Sequence, residues 1–347
     1  MPSPAPAPAP PIDALPQPYL LFLGDVAEPA YAKTAFGLRD WASERCVGEY
    51  ACEGARISVG LPYTAPTQAR AAGARAMVIG VANPGGYIPQ AWLPSLLHAL
   101  DAGLDLIGGM HARLADIAPL RERADALGRR LIDVRTPPPG IAVASGRRRS
   151  GRRLLTVGTD CAVGKKYTAL VLAREFRSRG LDAEFRATGQ TGILIAGSGI
   201  PMDAVVSDFA AGAAEHLSPD ADADHWDVIE EQGALCHPAY AGVSLALLHG
   251  SQPDVFVVCH EHGRGHMLGH PGYPMTSIED TIDLTLRLGR RTNPGIRCGG
   301  VSLNTGGLGP AEAGRVIAAA SERLGCAVAD PVRGGAALER LVGDCLA

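Results

Sequence analysis

Lysine is nearly absent from this chain. Of 32 lysines and arginines only three are lysines, at Lys33, Lys165 and Lys166. Aromatic residues are also scarce, at 5%, whereas glycine reaches 43 residues. Few aromatics and many glycines suit thin α/β layers joined by many strand-to-helix turns. No apolar run reaches membrane-spanning length, and the N-terminus has no charged-then-apolar leader, so a soluble cytoplasmic protein without a membrane partner is expected. The net charge of −4 provides no basic excess for a nucleic-acid partner. No Cys-x-x-Cys pair occurs among Cys46, Cys52, Cys161, Cys236, Cys259, Cys298, Cys326 and Cys345. Scattered cysteines of this kind point to free thiols rather than a disulfide framework.

Two of the three lysines stand side by side in a glycine loop. An apolar run, Leu154 to Val157, leads through Gly158, Thr159, Asp160, Cys161, Ala162 and Val163 to Gly164, Lys165 and Lys166. A helical pattern follows. A strand entering Gly-x-x-x-x-x-Gly-Lys and then a helix is a phosphate cradle: backbone amides and the helix N-terminus face the anion, and the lysine supplies a point charge. In nucleotide hydrolases the residue after that lysine is a Ser or Thr whose hydroxyl holds Mg²⁺. Lys166 occupies that place and cannot ligate a cation. Phosphate binding without Mg·ATP chemistry is therefore the expectation. Thr168 lies further along the helix and faces elsewhere.

Organisation follows from composition. Residues 1–18 form a proline-alanine tract expected to be extended and disordered. Residues 19–138 alternate apolar strand candidates with helical stretches: Tyr19–Leu23, Ile57–Gly60, Met77–Val81, Leu104–Ile107 and Leu131–Val134. Strand, glycine turn and helix in repetition predict a parallel, Rossmann-like sheet, although no full Gly-x-Gly-x-x-Gly fingerprint occurs. Asn83-Pro84-Gly85-Gly86 and Gly108-Gly109-Met110-His111 are candidate cleft-lining turns. Residues 139–153, with five arginines from Arg147 to Arg153, read as a solvated basic linker. Residues 154–347 repeat the alternation as a P-loop domain of mainly parallel sheet. The fold class is thus α/β in two domains.

In the second domain polar groups recur at strand C-termini, where an open α/β sheet places its ligands. Ala183–Thr188 carries Arg186 and ends in Gly189-Gln190-Thr191-Gly192. His225–Gly233 carries Glu230, with His237 beyond it; Val255–Cys259 leads to Arg264; and Gly300–Thr305 ends at Asn304.

These residues carry a resemblance. Gly158-Thr159-Asp160 with Gly164-Lys165, then Val228-Ile229-Glu230, then Gly300 to Asn304, resembles the motif order of dethiobiotin synthetase and its P-loop relatives. Ala187 to Ile195, Asp203 to Phe209, His225 to Tyr240 and His249 to Asp254 resemble a different family, as do Lys33 to Leu38. That family joins a Rossmann-like N-terminal domain to a P-loop C-terminal domain, and its members act as D-glutamate N-acetyltransferases that use acetyl-CoA. The likeness runs from about residue 19 to 335. Two departures stand out: Lys166-Tyr167 where the family tends to carry Met-Thr, and Glu231 where it tends to carry glycine.

The resemblance implies acetyl transfer to an acidic D-amino acid in its breakdown, with acetyl-CoA as co-substrate, no metal and a homo-oligomeric assembly. The reaction needs a base, oxyanion donors and forks for two carboxylates. Loop residues 158–166 and Asn304 are the candidates for coenzyme A. Glu230 is the first candidate base, His237 the second, and Asp208 a further catalytic candidate. Arg186, Arg264, Gln190 and Thr191 are the substrate-binding candidates.

Two other readings use the same residues. An ATP-dependent ligase or kinase of the dethiobiotin synthetase type fits the loop apart from Lys166. A P-loop metal-delivery protein is suggested by His260, His262, His266 and His270. Their spacing matches no tight zinc pattern, and glycines and a proline break any helix, so an active-site loop is the preferred reading.

Overall fold

The computed structural model describes residues 15–83 and 85–347. Most of the proline-alanine tract, and Pro84 of the Asn83–Gly86 turn, therefore lie outside the described residues. By their contacts the described residues fall into two units: residues 15–137 together with Gly189–Ala204, and Pro138–Thr188 together with Val205–Ala347.

The first unit is a five-stranded parallel sheet in the order β2-β1-β3-β4-β5. Its strands are β1 (Tyr19–Phe22), β2 (Cys46–Tyr50), β3 (Ala76–Ile79), β4 (Asp105–Gly108) and β5 (Leu131–Asp133). Helices α1 (Lys33–Trp41), α2 (Pro66–Ala71), α3 (Leu93–Asp101) and α4 (Ala118–Leu127) connect them. Every residue of β1, β3 and β4 is buried, as expected of parallel strands covered on both faces.

One strand expectation is corrected. Ile57–Gly60 is not a strand; the sheet uses Cys46–Tyr50 instead. Glu49 explains the exchange. Its buried carboxylate accepts the N–H of Val59 at 2.8 Å and of Leu61 at 3.2 Å, holding that apolar stretch as a loop.

The second unit is a six-stranded sheet in the order β13-β12-β9-β6-β8-β7, with every neighbouring pair parallel. In chain order it runs β6 (Arg152–Gly158), α5 (Lys165–Ser178), β7 (Ala183–Arg186), α6 (Gln190–Ala196), α7 (Ser207–Leu217), β8 (Trp226–Glu230), α8 (Ala241–Ser251) and β9 (Val255–Glu261). A short antiparallel hairpin follows, β10 (His266–Met267) and β11 (His270–Pro274), then α9 (Ile278–Gly289), β12 (Arg297–Asn304), α10 (Pro310–Leu324), β13 (Val328–Ala329) and α11 (Gly335–Leu346). Strand β6 is central, paired with β8 on one side and β9 on the other. The chain crosses from one half of the sheet to the other around β6, and ligands of open α/β sheets bind at such a switch point.

Two boundaries differ from the sequence reading. Helix α6 belongs with the first unit although its sequence neighbours belong to the second. Thr191 Oγ1 on α6 lies 2.9 Å from Thr34 Oγ1, and Arg45 donates to the Ile195 carbonyl at 2.9 Å. The arginine stretch is not wholly solvated either. Arg149 and Arg153 are buried. Arg149 donates to the carbonyls of Ser218 and Gly250, both at 2.7 Å, and Arg153 to those of Ser150 at 2.7 Å and Pro219 at 3.0 Å. Of these, the carbonyls of Ser218, Pro219 and Gly250 lie at or just past the ends of α7 and α8 and would otherwise be left orphaned. Burial, with Arg153 alongside, pulls the Arg149 guanidinium down to about 10.

Candidate phosphate-loop site

The loop between β6 and α5 turns through left-handed backbone at Ala162, φ 56°, and at Gly164, φ 109°. Alternation of this kind makes an anion-binding concavity from successive amides. Alanine tolerates such a φ poorly, so the loop must be held from outside. Asp160 does much of that holding. Fully buried, it accepts from its neighbour's N–H at Cys161 (2.6 Å), from the Leu268 N–H (2.8 Å) and from the Arg264 guanidinium (2.9 Å). Arg264 also donates to the Cys161 carbonyl at 2.8 Å and pairs with Glu261. The histidine-bearing hairpin is thereby fastened to the loop through Asp160.

Lys165, the first residue of α5, folds back into the cradle. Its Nζ donates to the Asp160 carbonyl at 2.7 Å and to the Gly233 carbonyl, and lies 3.5 Å from Glu231 Oε2. The two side chains are 6% and 1% exposed, so this ion pair is dry. Burial pushes the Glu231 carboxyl up to about 7, against the pull of Lys165, Ser244 and the Gly158 N–H. Lys166 is half-buried, with its ammonium 5.1 Å from the Tyr167 ring centroid. Thr168 bonds the Gly164 carbonyl at 3.0 Å and Ser302 at 2.7 Å, which commits its hydroxyl to the interior.

Glu230 ends β8 and is buried. Its carboxylate accepts from the Thr188 N–H at 3.3 Å and from Gln232 Nε2 at 3.1 Å. His237 is buried, stacked on Tyr240 (4.6 Å between ring centroids) and met edge-on by His270 (5.0 Å). Its Nδ1 accepts the Ala239 N–H at 3.1 Å, so in the neutral ring the proton sits on Nε2, which lies 3.7 Å from Asp160 Oδ1. Burial lowers its pKa, only partly offset by Asp160.

The other candidates are placed differently. Arg186 is spent on Asp227 (2.5 Å) and Glu184 (3.0 Å) within its own sheet. Asp208 is exposed in the first turn of α7, where a carboxylate suits the helix dipole; among the described residues no hydrogen bond or ion pair joins it to the loop. Asn304 ends β12 and accepts the Gly306 N–H at 3.0 Å. Gln190 and Thr191 lie in the first unit: Gln190 packs on Gly109, where a Cβ would collide with it, and its buried Oε1 has no hydrogen-bond partner among the described residues.

The four loop histidines are not gathered either. His260 bonds Thr159 at 2.9 Å, and His266 and His270 lie on different strands of the hairpin. Among the described residues, Asp160, Cys161 and His237 do bring ligand atoms within 4.8 Å of one another. Their chemistry suits a cation poorly. His237 already uses Nδ1 as an acceptor, so offering Nε2 as well would require an imidazolate. The Arg264 guanidinium occupies Asp160, and burial raises the Cys161 thiol.

The groups that hold this site together carry little signature in the sequence. The Gly233 carbonyl has no side-chain signature, and Thr188 and Gln232 matter only because β7 and β8 are neighbours. Glu231 was visible as an extra side chain, but not as the partner of Lys165.

Residues 141–342 match the family described as a domain of unknown function (DUF1611_C) P-loop domain, and residues 44–137 match the DUF1611_N Rossmann-like domain. The chain belongs to this family. It is 48% identical over 330 residues to a D-glutamate N-acetyltransferase of Tritonibacter scottomollicae, covering 95% of this chain and 98% of that protein. A D-glutamate N-acetyltransferase of Pseudoalteromonas sp is 44% identical, covering 92% of this chain and 96% of its own length. The crystal structure of a DUF1611 family protein from Anabaena variabilis superposes with a TM-score of 0.83 at 32% identity, covering 95% of this chain and 98% of that one.

Proposed function

We propose that this protein transfers the acetyl group of acetyl-CoA to the amine of D-glutamate. The observation that carries the reading is the near full-length similarity to two D-glutamate N-acetyltransferases, at 48% and 44% identity. The loop chemistry agrees with it. Coenzyme A brings a diphosphate that needs a cradle but no γ-phosphate transfer, and the loop has Lys166 where a Mg²⁺-binding hydroxyl would stand. The amides of 162–166 and Lys165 take the diphosphate, and Asn304 takes part of the nucleotide.

In the reaction the substrate ammonium loses a proton, and its lone pair attacks the thioester carbonyl. The tetrahedral oxyanion then collapses and the C–S bond breaks. The thiolate leaves with one proton, and a second proton goes to solvent. Glu230 is the proposed base. His237, holding its proton on Nε2, is a donor in the neutral ring, which suits an oxyanion or a phosphate better than base duty.

Gln190 and Thr191 are proposed to contact the amino acid. Arg186 and Arg264 are already committed to Asp227 and Asp160, which removes them as free carboxylate forks. The test is release of free thiol from acetyl-CoA on addition of D-glutamate, with L-glutamate and other D-amino acids as comparisons. Release that requires D-glutamate supports the reading; ATP consumption in its place overturns it.

A further inference from the structure

Glu231 poses a problem for any anion that reaches this loop. It is the residue after the proposed base, its side chain is 1% exposed, and among the described residues its Oε2 has no hydrogen-bond partner of ordinary geometry. Among the described residues its one close cation is Lys165, the group that a phosphate must recruit. The groups around it come from every neighbouring element. Lys165 faces it from α5, the Gly158 N–H from β6 and Ser244 from α8, and the half-buried Cys161 and buried Cys259 thiols both feel its charge. Asp160, with its counter-ion Arg264, lies across the loop, and Glu230 and His237 lie on the same strand-to-helix connection. Burial holds the Cys259 thiol up at about 11, so it stays neutral and contributes no charge. His237 is driven toward its neutral form.

We propose that an arriving phosphate and the Glu231 carboxylate compete for Lys165, and that Glu231 takes up a proton when the phosphate binds. The inference rests on the loop being the phosphate site of the proposed function. The reason is electrostatic. With Lys165 turned to the ligand, a charged Glu231 would be left dry, without a cation and beside a new anion, an arrangement that buried carboxylates relieve by protonation. Burial already pushes its carboxyl up to about 7, so a small further rise protonates it at neutral pH. Binding should therefore strengthen as pH falls and weaken above neutrality. Glycine at this place would carry no such linkage.

The experiment is calorimetry of coenzyme A and, separately, inorganic pyrophosphate binding to the full chain. It is run from pH 6 to 8.5 in buffers of different ionisation enthalpy, on the wild type and on Glu231→Gln. Because the ligands titrate as well, the readout is the difference between the two proteins. The wild type should take up about half a proton more than the variant at pH 7, approaching one proton at pH 8.5, with Kd rising up to roughly tenfold per pH unit above 7 relative to the variant. Glu231→Ala provides the same comparison should the glutamine variant fail to fold.

Binding of both ligands with equal proton numbers in wild type and variant overturns the inference and leaves the proposed function standing. Binding of neither ligand overturns the loop assignment and the inference together. Pyrophosphate binding with the proton difference, but without D-glutamate-dependent thiol release, supports the linkage and counts against the acetyl-transfer reading alone.

Discussion

Replacing Lys165 by methionine keeps the aliphatic stem and removes the charge, and the structure dictates how the consequence should vary with pH. The lysine makes two carbonyl hydrogen bonds and one dry ion pair. Losing charged hydrogen bonds costs about 1.5–3 kcal/mol. Removing one partner of a buried pair costs about 3–5 kcal/mol when the other stays charged. Glu231 can avoid most of that second cost by protonating. Its folded-state pKa is raised from an ordinary 4.5 to about 7, so the folded protein holds more protons than the unfolded chain between those values. Stability therefore falls as pH rises through that window. Without Lys165 the folded value climbs further, extending the loss upward by ~1.4 kcal/mol per unit of added shift. Denaturant unfolding of Lys165→Met should show a loss of about 2 kcal/mol at pH 6 and at least ~1.4 kcal/mol more at pH 8.5. The same variant should bind coenzyme A about 10- to 100-fold more weakly at pH 7. Equal stability losses at both pH values would refute the pairing with Glu231, and unchanged coenzyme A affinity would refute the loop as its site.

Arg264→Ala strips the buried Asp160 of its cation and should destabilise the protein by about 3–5 kcal/mol; Arg264→Lys should recover little, because one ammonium cannot reproduce the fork to Asp160 and the Cys161 carbonyl, and thermal unfolding of the pair checks this. Gly109→Ala puts a methyl where Gln190 packs; steady-state kinetics should show a raised KM for D-glutamate with coenzyme A affinity unchanged, and normal kinetics would remove Gln190 from the substrate site. Glu230→Gln should lower kcat by about 10²–10⁴-fold with little change in the Kd for coenzyme A, whereas a shift in Kd alone would make Glu230 a phosphate-end residue.

The two-domain α/β architecture and the phosphate loop were legible because both are written in local pattern. Buried parallel strands such as Tyr19–Phe22 read as apolar runs, and Gly-Lys at a strand-to-helix turn has few other uses. Strand β2 was not legible: Cys46-Val47-Gly48-Glu49-Tyr50 looks like a loop, and its buried glutamate makes a loop of the more strand-like Ile57–Gly60. The arginines of 147–153 look solvated until α7 and α8 bring carbonyls to Arg149 and Arg153. Within the site, Lys165 is identified by its neighbours in sequence, whereas its contacts with Glu231 and the Gly233 carbonyl, and that of Arg264 with Asp160, join residues 66–104 apart. Arg264 and Arg186 were expected as substrate forks because an arginine at a strand end offers one. Asp160 and Asp227 claim them first, a competition that no local window displays.

The most direct test of the account is thiol release from acetyl-CoA, measured with metal chelated and ATP absent, on addition of D-glutamate. The account predicts release that depends on D-glutamate, yields N-acetyl-D-glutamate and is lost in Lys165→Ala. Silence under those conditions, with ATP consumption appearing once Mg²⁺ is supplied, would contradict it and return the loop to nucleotide chemistry.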